Sequence, residues 1–315
     1  MSKVLITGAG GYVGGRLVGA FHDAGWDVGA VVREREPRLT IQQTVCEIDG
    51  APAGLLAAAA EGAGTVVHLA GEDEVLAARE PARALAATVV ATERIAEACV
   101  AAGVRRLVYM STVHVYGTRI APGATLTEDM RAEPRSAYAI SRLASEHVAA
   151  SLAGSSYETV VLRLTNTVGA PDDPLVDRWT LVANDLCRQG AVQGRLELRS
   201  SGTQWRDFVP LGAVCAGIVN ASATADPMLP AGTYNVGSGR AITVRALAEL
   251  IQDAFERQTG HRPGLHAPEP EADPPGSHQV SVERAARHGL RFDAPLTDAV
   301  AETVDFCLDH KEELR

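Results

Sequence analysis

The sequence lacks any hydrophobic run long enough to cross a membrane. A spanning helix needs about 18 or more consecutive apolar residues, and no segment of this 315-residue chain reaches that length. Residues 1–4 lead directly into an apolar run, without the cationic stretch, separate apolar segment and cleavage site of a secretory signal. These absences predict a cytoplasmic protein with no membrane partner.

Cysteine and clustered positive charge are also scarce. The chain has five cysteines, widely spaced and without a Cys-x-x-Cys pair, which predicts free thiols and neither a metal site nor a redox site. Its 29 basic residues are outnumbered by 39 acidic ones, the net charge is −10, and no run rich in lysine or arginine is present. Such a charge distribution disfavours nucleic acid as a partner.

Apolar runs alternate with helix-like segments in the first half of the chain. The predicted strands are residues 3–7, 26–32, 65–69, 107–111 and 159–165, and the predicted helices between them are 13–24, 54–63, 82–103 and 138–152. The strands are continuous apolar runs, which is typical of a parallel sheet with helices on both faces. We therefore predict an α/β fold with a doubly wound parallel sheet.

The pattern changes after about residue 165, where proline and glycine become frequent and apolar segments are isolated. Residues 263–277 are rich in proline and acidic residues, as in a loop. We predict a first domain of residues 1–165 with returning segments near 204–240. A smaller, partly discontinuous C-terminal domain is predicted from residues 166–203 and 241–315.

A glycine-rich turn joins the first strand to the first helix. Gly8, Gly11 and Gly14 have the spacing at which a chain turns tightly, approaches a pyrophosphate and lets a helix pack closely on a strand. The start of the helix adds free N–H groups and a partial positive charge for phosphates. This βαβ context predicts a dinucleotide site of the Rossmann type. Its predicted contacts are Gly8, Gly10, Gly11, Tyr12, Val13 and Gly14.

The end of the second strand bears on which dinucleotide binds. An acidic residue there bonds the ribose hydroxyl of NAD, whereas an arginine suits the 2′-phosphate of NADP. Arg33 occupies this place, and Arg35 follows it closely. We therefore predict NADP as the cofactor, with NAD as the alternative.

Six ordered blocks resemble the extended short-chain dehydrogenase/reductases of the sugar-nucleotide epimerase, dehydratase and ketoreductase type. The blocks lie at residues 68–71, 110–117, 138–142, 162–169, 204–209 and 234–239. The resemblance implies that Leu69, Ala70 and Gly71 pass under the cofactor and that Asp49, at the end of a third strand, contacts adenine. It also implies that the smaller domain binds a small-molecule substrate, a sugar nucleotide.

Within this resemblance, Thr112, Tyr138 and Arg142 are the catalytic residues. Thr112 would hydrogen-bond the substrate oxygen, while Tyr138 would exchange the proton and, with Arg142, contact the cofactor. A phenol has an ordinary pKa of about 10 and needs a nearby cation to be useful near neutrality. Residue 142 shares a helix face with Tyr138. The family has lysine there, so Arg142 is a departure that keeps the charge and the ribose hydrogen bonds but does not relay a proton.

Three further residues bear on the substrate. By resemblance, Asn166 and Arg206 face the diphosphate of a sugar nucleotide, and arginine can bond two phosphate oxygens at once. His114 shares the strand face of the catalytic hydroxyl, so we place it at the substrate as well. The chain departs from the family at residues 274–277, where Pro-Pro-Gly-Ser replaces an Arg-x-Gly-Asp-like segment, and at residues 211–213, where Leu-Gly-Ala replaces two acids. These departures leave the nucleotide end of the substrate open.

Three functions stay open at the level of sequence. The first is an NADP-dependent oxidoreductase of a sugar nucleotide, most simply a 4-ketoreductase. The second is an NAD-dependent epimerase of the same family; a dehydratase is the weaker variant, because Val113 and His114 follow the catalytic hydroxyl where an acid is usual. The third is a catalytically degraded scaffold or sensor, for which Arg142 is the main support. The resemblance also implies a homodimer formed through helices 82–103 and 138–152.

Overall fold

Seven parallel strands form one sheet in the computed structural model, which describes residues 2–153, 157–223, 229–269 and 276–314. The strands are β1 (Lys3–Thr7), β2 (Asp27–Val32), β3 (Gln42–Val45), β4 (Thr65–His68), β5 (Arg106–Thr112), β6 (Thr125–Leu126), β7 (Glu158–Leu164), β8 (Asn166–Val168), β9 (Arg195–Glu197), β10 (Trp205–Pro210), β11 (Gly232–Val236), β12 (Ala241–Thr243), β13 (Gly264–His266) and β14 (Gln279–Val280). The helices are α1 (Tyr12–Asp23), α2 (Ala53–Ala60), α3 (Glu74–Arg79), α4 (Pro81–Ala102), α5 (Ala137–Ser151), α6 (Val182–Gln193), α7 (Leu211–Ser222), α8 (Val244–Thr259), α9 (Glu283–Arg287) and α10 (Leu296–Asp309). Short 3-10 turns lie at Ile48–Gly50 and Val113–Tyr116.

The large sheet has the strand order β3-β2-β1-β4-β5-β7-β11, and all its neighbouring strands are parallel. The chain runs outward from β1 through β2 to β3 and then crosses back to place β4 on the other side of β1. Val4 therefore pairs with Val28 on one side and with Thr65 on the other. The carboxyl ends of β1 and β4 form a topological switch point, where α/β proteins bind ligands. The predicted Rossmann-type α/β fold is confirmed.

Alternate residues of the strands face two helical layers. Val4 and Ile6 of β1 belong to a core shared with α1 and α7, whereas Leu5 between them belongs to a core shared with α2, α4 and α5. Phe21 of α1 and Leu56 of α2 are fully buried in these two layers. Burial of a side chain of this size stabilises the fold by about 1.5–3 kcal/mol. The two layers together fix the strand ends around which the site is built.

Two predicted details of the first half differ from the structure. The third strand ends at Val45, and Asp49 lies beyond it in the 3-10 turn rather than at the strand end. The second strand begins at Asp27, one residue later than predicted. Trp26 instead lies in the turn between α1 and β2, and its ring meets that of Phe21 edge-on with 5.2 Å between the centroids.

A second hydrophobic core lies among β8, β10, α6, α8 and α10, with Phe208 and Ile251 among its buried members. β10 pairs with β8 in parallel and with β12 antiparallel. β11 pairs with β7 at the edge of the large sheet. The segments that were isolated in the sequence therefore have partners distant along the chain, which local patterns could not reveal.

The longest helix among the described residues is α4, with 22 residues. Charged side chains such as Arg83 and Glu93 interrupt its apolar positions. Within the described parts of the chain, no helix is both long enough and apolar enough to span a bilayer.

Candidate active site

Two adjoining clefts lie beside the switch point between β1 and β4. Their volumes are about 670 Å³ for the first and 660 Å³ for the second. Gly8, Gly11, Leu69 and Gly71 line both, so the two clefts share the glycine-rich turn and the turn after β4. The predicted catalytic and substrate residues all line the first cleft: Thr112, His114, Tyr138, Arg142, Asn166 and Arg206.

The glycine-rich turn leaves room for a ligand against its backbone. Gly8 has a φ of 73°, and a Cβ there would lie 3.0 Å from the Ala70 nitrogen. A Cβ on Gly14 would overlap the carbonyl oxygen of Gly8. The first N–H groups of α1, at Tyr12 and Val13, have no intrahelical acceptor, as in any helix. The N-cap residue Gly11 has no side chain to accept them either. This cradle fits the pyrophosphate of a dinucleotide.

The side chain of Tyr12 supports the fold rather than the cleft. Its hydroxyl donates to the Gly169 carbonyl oxygen at 2.8 Å, and burial raises the pKa of this phenol. The bond ties the glycine-rich turn to the segment that follows β8. A contact between Tyr12 and a dinucleotide would therefore use the backbone N–H.

The turn after β4 is closely packed against the rest of the site. Gly71 has a φ of 151°, and a Cβ there would lie 2.9 Å from Nη1 of Arg142. His68, just before this turn, is fully buried and hydrogen-bonded to Thr7 at 2.6 Å and to Thr92 at 3.2 Å. Burial, assisted by the charge of Arg142, lowers the pKa of His68 to about 3. His68 is therefore a neutral packing residue.

The end of strand β5 and the start of helix α5 position the two predicted catalytic hydroxyls. Thr112 ends β5, and its hydroxyl accepts the N–H of His114 at 3.2 Å. Ser136 caps α5 by accepting the N–H of Ala139 at 3.2 Å. This cap fixes the first turn of α5, which carries Tyr138.

Arg142 is a buried charge on the same wall, with its side chain beside Tyr138. The guanidinium carbon lies 5.3 Å from the centroid of the Tyr138 ring. Nη1 and Nη2 make long hydrogen bonds of 3.4 Å to the carbonyl oxygens of Met110 and Glu72. Nε is buried and has no hydrogen-bond partner among the described residues. The terminal nitrogens Nη1 and Nη2, rather than Nε, lie beside Gly71, so these atoms form the part of Arg142 next to the turn after β4.

A buried ion pair behind this wall was not found from the sequence. Glu146 pairs with Arg163 of β7 at 2.7 Å and accepts the hydroxyl of Ser111. The pair joins α5 to β5 and β7, and so fixes the register of the helix that carries Tyr138. The sequence signal for Glu146 is its position about two helical turns beyond Tyr138, near the same face of α5.

His114 projects from the turn after β5 into the first cleft. Its ring meets Tyr138 edge-on, with 6.3 Å between the centroids and an interplanar angle of 78°. Desolvation lowers the pKa of the His114 imidazole, the charge of Arg206 lowers it further, and Glu74 opposes the shift, while the residue as a whole stays exposed at the mouth of the cleft. Arg206 itself donates to the neighbouring Trp205 carbonyl oxygen at 2.8 Å. His114 is therefore uncharged near neutral pH.

The structure also places Asn166 and one of the two segments that depart from the family. Asn166 begins β8, and its amide donates to the Asp207 carbonyl oxygen at 3.0 Å, which orients it within the first cleft. Leu211 begins α7 and is fully buried, so this replacement of an acid belongs to the core. Pro274 and Pro275 lie outside the described residues.

The second cleft has more acidic residues than the sequence analysis anticipated. Asp49 lines it, and so does Arg33, whose side chain is 64% exposed. Arg33 does not stand alone, because its guanidinium pairs with Glu72 at 3.6 Å. The other acids that line this cleft are Glu34, Glu36 and Glu47.

Arg178 joins the two walls of the first cleft. It lies between β8 and α6 and pairs with Asp73 at 3.4 Å and Glu74 at 3.5 Å, on the segment after β4. All three residues line the first cleft. The signal in the sequence is the run of three acidic residues at 72–74 directly after Gly71.

The described parts of the chain contain no cluster of side chains that could bind a metal ion. No group of three or more histidine, cysteine, aspartate or glutamate side chains there is arranged to hold a metal ion.

Known proteins resemble the chain over most of its length. The sequence model of the NAD dependent epimerase/dehydratase family matches residues 4–237. The dTDP-6-deoxy-L-talose 4-dehydrogenase (NAD(P)(+)) of Kitasatospora kifunensis is 37% identical over 171 residues, which are 52% of this chain and 51% of that relative. This match therefore spans only about half of the relative's length.

Two further comparisons cover nearly the whole chain. A UDP-glucose 4-epimerase of Mycolicibacterium smegmatis is 28% identical over 328 aligned positions, covering 96% of this chain and 98% of the relative. The solved structure of MoeE5 in complex with UDP-glucose and NAD superposes with a TM-score of 0.81 at 26% identity, covering 100% of both chains.

Proposed function

The chain belongs to the NAD dependent epimerase/dehydratase family, and on that basis we propose that it is an NADP-dependent oxidoreductase of a sugar nucleotide. It interconverts a keto and a hydroxyl group on the sugar, as a 4-ketoreductase does, with Tyr138 as the acid/base. One observation carries this proposal: Thr112, Tyr138 and Arg142 line a single cleft with the glycine-rich turn. The Kitasatospora kifunensis relative, a 4-dehydrogenase of a deoxy-sugar nucleotide, supports the reaction class.

The residues present fit a nicotinamide dinucleotide. The first N–H groups of α1 would bind its pyrophosphate, and the close approach at Gly8 and Gly14 leaves the space that a Cβ would fill. The guanidinium of Arg142, which lines the first cleft with Nη1 and Nη2 beside Gly71, would bind the ribose next to nicotinamide. When bound, the nicotinamide supplies or accepts the hydride.

The chain's own residues handle the proton and the orientation. Thr112 donates a hydrogen bond to the sugar oxygen and polarises the carbonyl. Tyr138 gives its phenolic proton to that oxygen during reduction and takes it back during oxidation. The adjacent charge of Arg142 stabilises the phenolate that this transfer leaves behind. Arg142 does not release a proton near neutral pH, so Tyr138 would regain its proton from solvent that reaches the cleft.

Arg33 supports NADP over NAD in this proposal. Its exposed guanidinium lines the second cleft, where a 2′-phosphate would replace the carboxylate of Glu72 as its partner. A phosphate carries more negative charge than a carboxylate and accepts bidentate bonds from arginine. Asp49, which lines the same cleft, is proposed to contact adenine.

A second candidate is an NAD-dependent epimerase acting on a sugar nucleotide. The specific observation in its favour is the acidic lining of the second cleft, where Glu72 neutralises Arg33 and Glu34 and Glu36 lie nearby. Such surroundings disfavour an additional phosphate. The UDP-glucose 4-epimerase relative aligns with nearly the whole chain.

We also propose that the chain forms a homodimer through α4 and α5. These helices expose large apolar side chains that a partner helix pair would cover, among them Leu85, Val100 and Ile140. A second copy of the chain would use the same face, as a two-fold interface requires.

The test of the proposed reaction supplies the protein with NADPH, and separately NADH, together with a dTDP-linked 4-keto-6-deoxy sugar. The expected result is loss of reduced-cofactor absorbance in step with formation of the 6-deoxy sugar, faster with NADPH. An epimerase would instead retain tightly bound NAD and convert UDP-glucose to its 4-epimer without net cofactor consumption. Cofactor binding without turnover on dTDP-, GDP- or UDP-linked keto sugars would favour the scaffold function and contradict the proposal.

A further inference from the structure

A second group able to accept a proton faces the cleft beside Tyr138. We propose that His114 is a catalytic base that removes a proton from a carbon next to the carbonyl of a 4-keto sugar nucleotide. The protein would then also catalyse enolisation of its keto sugar, at C3 or C5. This inference rests on the proposed function, because it uses the same substrate class and the same cleft.

The geometry puts both groups within reach of one sugar ring. His114 and Tyr138 line the same cleft, and their rings meet edge-on with 6.3 Å between the centroids. A sugar whose C4 oxygen bonds the Tyr138 hydroxyl carries C3 and C5 directly beside that carbon. In the proposed complex, the imidazole beside the phenol takes the proton of a neighbouring C–H bond, while the phenol bonds the oxygen.

The ring of His114 is free to act, unlike that of the other histidine near the site. Within the described residues, no hydrogen bond occupies either ring nitrogen of His114, and only its backbone N–H is bonded, to Thr112. Both ring nitrogens of His68, in contrast, are hydrogen-bonded and buried, to Thr7 and Thr92. Of these two histidines, only His114 lines the first cleft.

The surrounding charges favour a neutral imidazole that returns its proton. Arg206 of β10 lowers the pKa of His114 in addition to desolvation, and Glu74 of α3 raises it more weakly. Tyr138 of α5 contributes an edge-on ring rather than a charge-paired contact. A base that is unprotonated near neutral pH is ready to accept a proton. Repulsion between the resulting imidazolium and Arg206 favours release afterwards.

The proposed step is balanced without an oxidant or reductant. The C–H bond beside the carbonyl breaks, its electron pair forms a carbon–carbon double bond with C4, and the carbonyl electrons move to the oxygen. Hydrogen bonds from Thr112 and Tyr138 stabilise that enolate oxygen. The proton forms an N–H bond on His114. Reversal returns a proton to carbon, and exchange at the imidazole introduces one from solvent.

The test is proton exchange at carbon, measured by NMR in D2O. The protein is incubated with NADP⁺ and dTDP-4-keto-6-deoxyglucose, without reduced cofactor, so that no net reduction occurs. We expect the C3 or C5 proton signal to disappear faster than in buffer alone. In His114→Gln and His114→Asn, exchange should fall by about 100-fold or more relative to the reduction rate of the same preparation, the usual effect of losing a positioned base.

A matched control uses the second histidine beside Arg206. His278 also has its pKa lowered by desolvation and by Arg206, but it does not line the first cleft. His278→Asn should therefore keep the wild-type exchange rate. Thermal unfolding of every variant identifies any loss of exchange that comes from unfolding.

The outcomes separate the two proposals. Reduction by the wild type without exchange above buffer overturns the role of His114 and leaves the proposed function standing. Exchange that is undiminished in both His114 variants also overturns that role, because another group must then take the proton. Absence of both reduction and exchange overturns both proposals.

Discussion

The guanidinium carbon of Arg142 lies 5.3 Å from the centre of the Tyr138 ring, one helical turn away on α5. A lysine at this position could also pass a proton, which arginine does not do near neutral pH. The distance nevertheless keeps a positive charge within the range over which it acts on a phenol. A residue at position 142 can therefore stabilise the phenolate of Tyr138 without relaying a proton, and the two roles can be tested separately.

Removing the charge of Arg142 tests the electrostatic part. Arg142→Met keeps a similar stem but should reduce turnover by about a hundred- to a thousand-fold, since the phenolate that forms on Tyr138 loses the positive charge beside it. It should also weaken cofactor binding, because ribose hydrogen bonds are lost. Arg142→Lys should keep or increase the rate. The measurement is the pH–rate profile with one keto substrate, and a methionine variant that matched the parent would remove Arg142 from the mechanism.

Tyr138→Phe tests the proton donor. The ring contact with His114 is retained and only the hydroxyl is lost, so turnover should fall by about two to four orders of magnitude. Cofactor affinity, measured by calorimetry, should change little. Full activity in this variant would mean that another group moves the proton.

The pairing of Arg33 with Glu72 makes a two-sided prediction for the cofactor. Arg33→Ala should lower NADPH affinity by roughly ten- to a hundred-fold, the effect of losing a bond to a charged group worth about 1.5–3 kcal/mol. NADH affinity should be almost unchanged. Glu72→Gln removes the competing carboxylate at 3.6 Å and should raise NADPH affinity. Equal binding of NADPH and NADH by the unmodified protein would contradict the NADP assignment.

Arg206 should contribute to binding of an anionic diphosphate in the first cleft. Arg206→Gln is expected to weaken dTDP and UDP by about tenfold or more, since charge-assisted hydrogen bonds are lost. Arg195→Gln is the control, because Arg195 is a half-exposed arginine of β9 that does not line that cleft. Calorimetry measures both. If neither nucleotide binds the parent at millimolar concentration, a substrate without a nucleotide becomes the better hypothesis.

The buried His68 predicts how stability depends on pH. Its pKa is lowered to about 3 in the folded protein by burial and by Arg142, while an unfolded histidine titrates near 6.5. The unfolded state therefore binds more protons between these values, and stability falls as pH drops from about 6.5 towards 3. The contribution to the slope is at most about 1.4 kcal/mol per pH unit. Urea unfolding of His68→Gln should show a shallower dependence than the parent; identical slopes would argue against a neutral buried His68.

The fold and much of the cleft could be predicted because their signals are local. The glycine-rich turn follows a strand and opens a helix, so Gly8 and Gly14 could be assigned from spacing alone. Thr112 and Tyr138 were predicted as catalytic from short blocks that resemble a known family, and the structure places these blocks at the end of one strand and the start of one helix. Each signal involves residues that are close in sequence and therefore depends little on tertiary packing.

The parts that escaped prediction depend on pairing between distant segments. Arg178 and Asp73 are 105 positions apart, and no local pattern identifies them as partners. Glu72 neutralises Arg33 only because the turn after β4 lies beside the end of β2. The short strand β8 becomes visible only when β10 supplies its hydrogen bonds. Electrostatic partners and short strands are therefore properties of the assembled fold.

The ion pairs from Arg178 to Asp73 and Glu74 make anion entry an exchange reaction. An incoming phosphate that pairs with Arg178 must displace two carboxylates, so the net gain is a difference between two ion pairs rather than the whole of one. Partly exposed pairs of this kind contribute about 0–1 kcal/mol each, so breaking them costs little free energy. Dissolved salt screens the old and the new pairs alike. The contribution of Arg178 to ligand affinity should consequently vary less with ionic strength than that of an unpaired arginine.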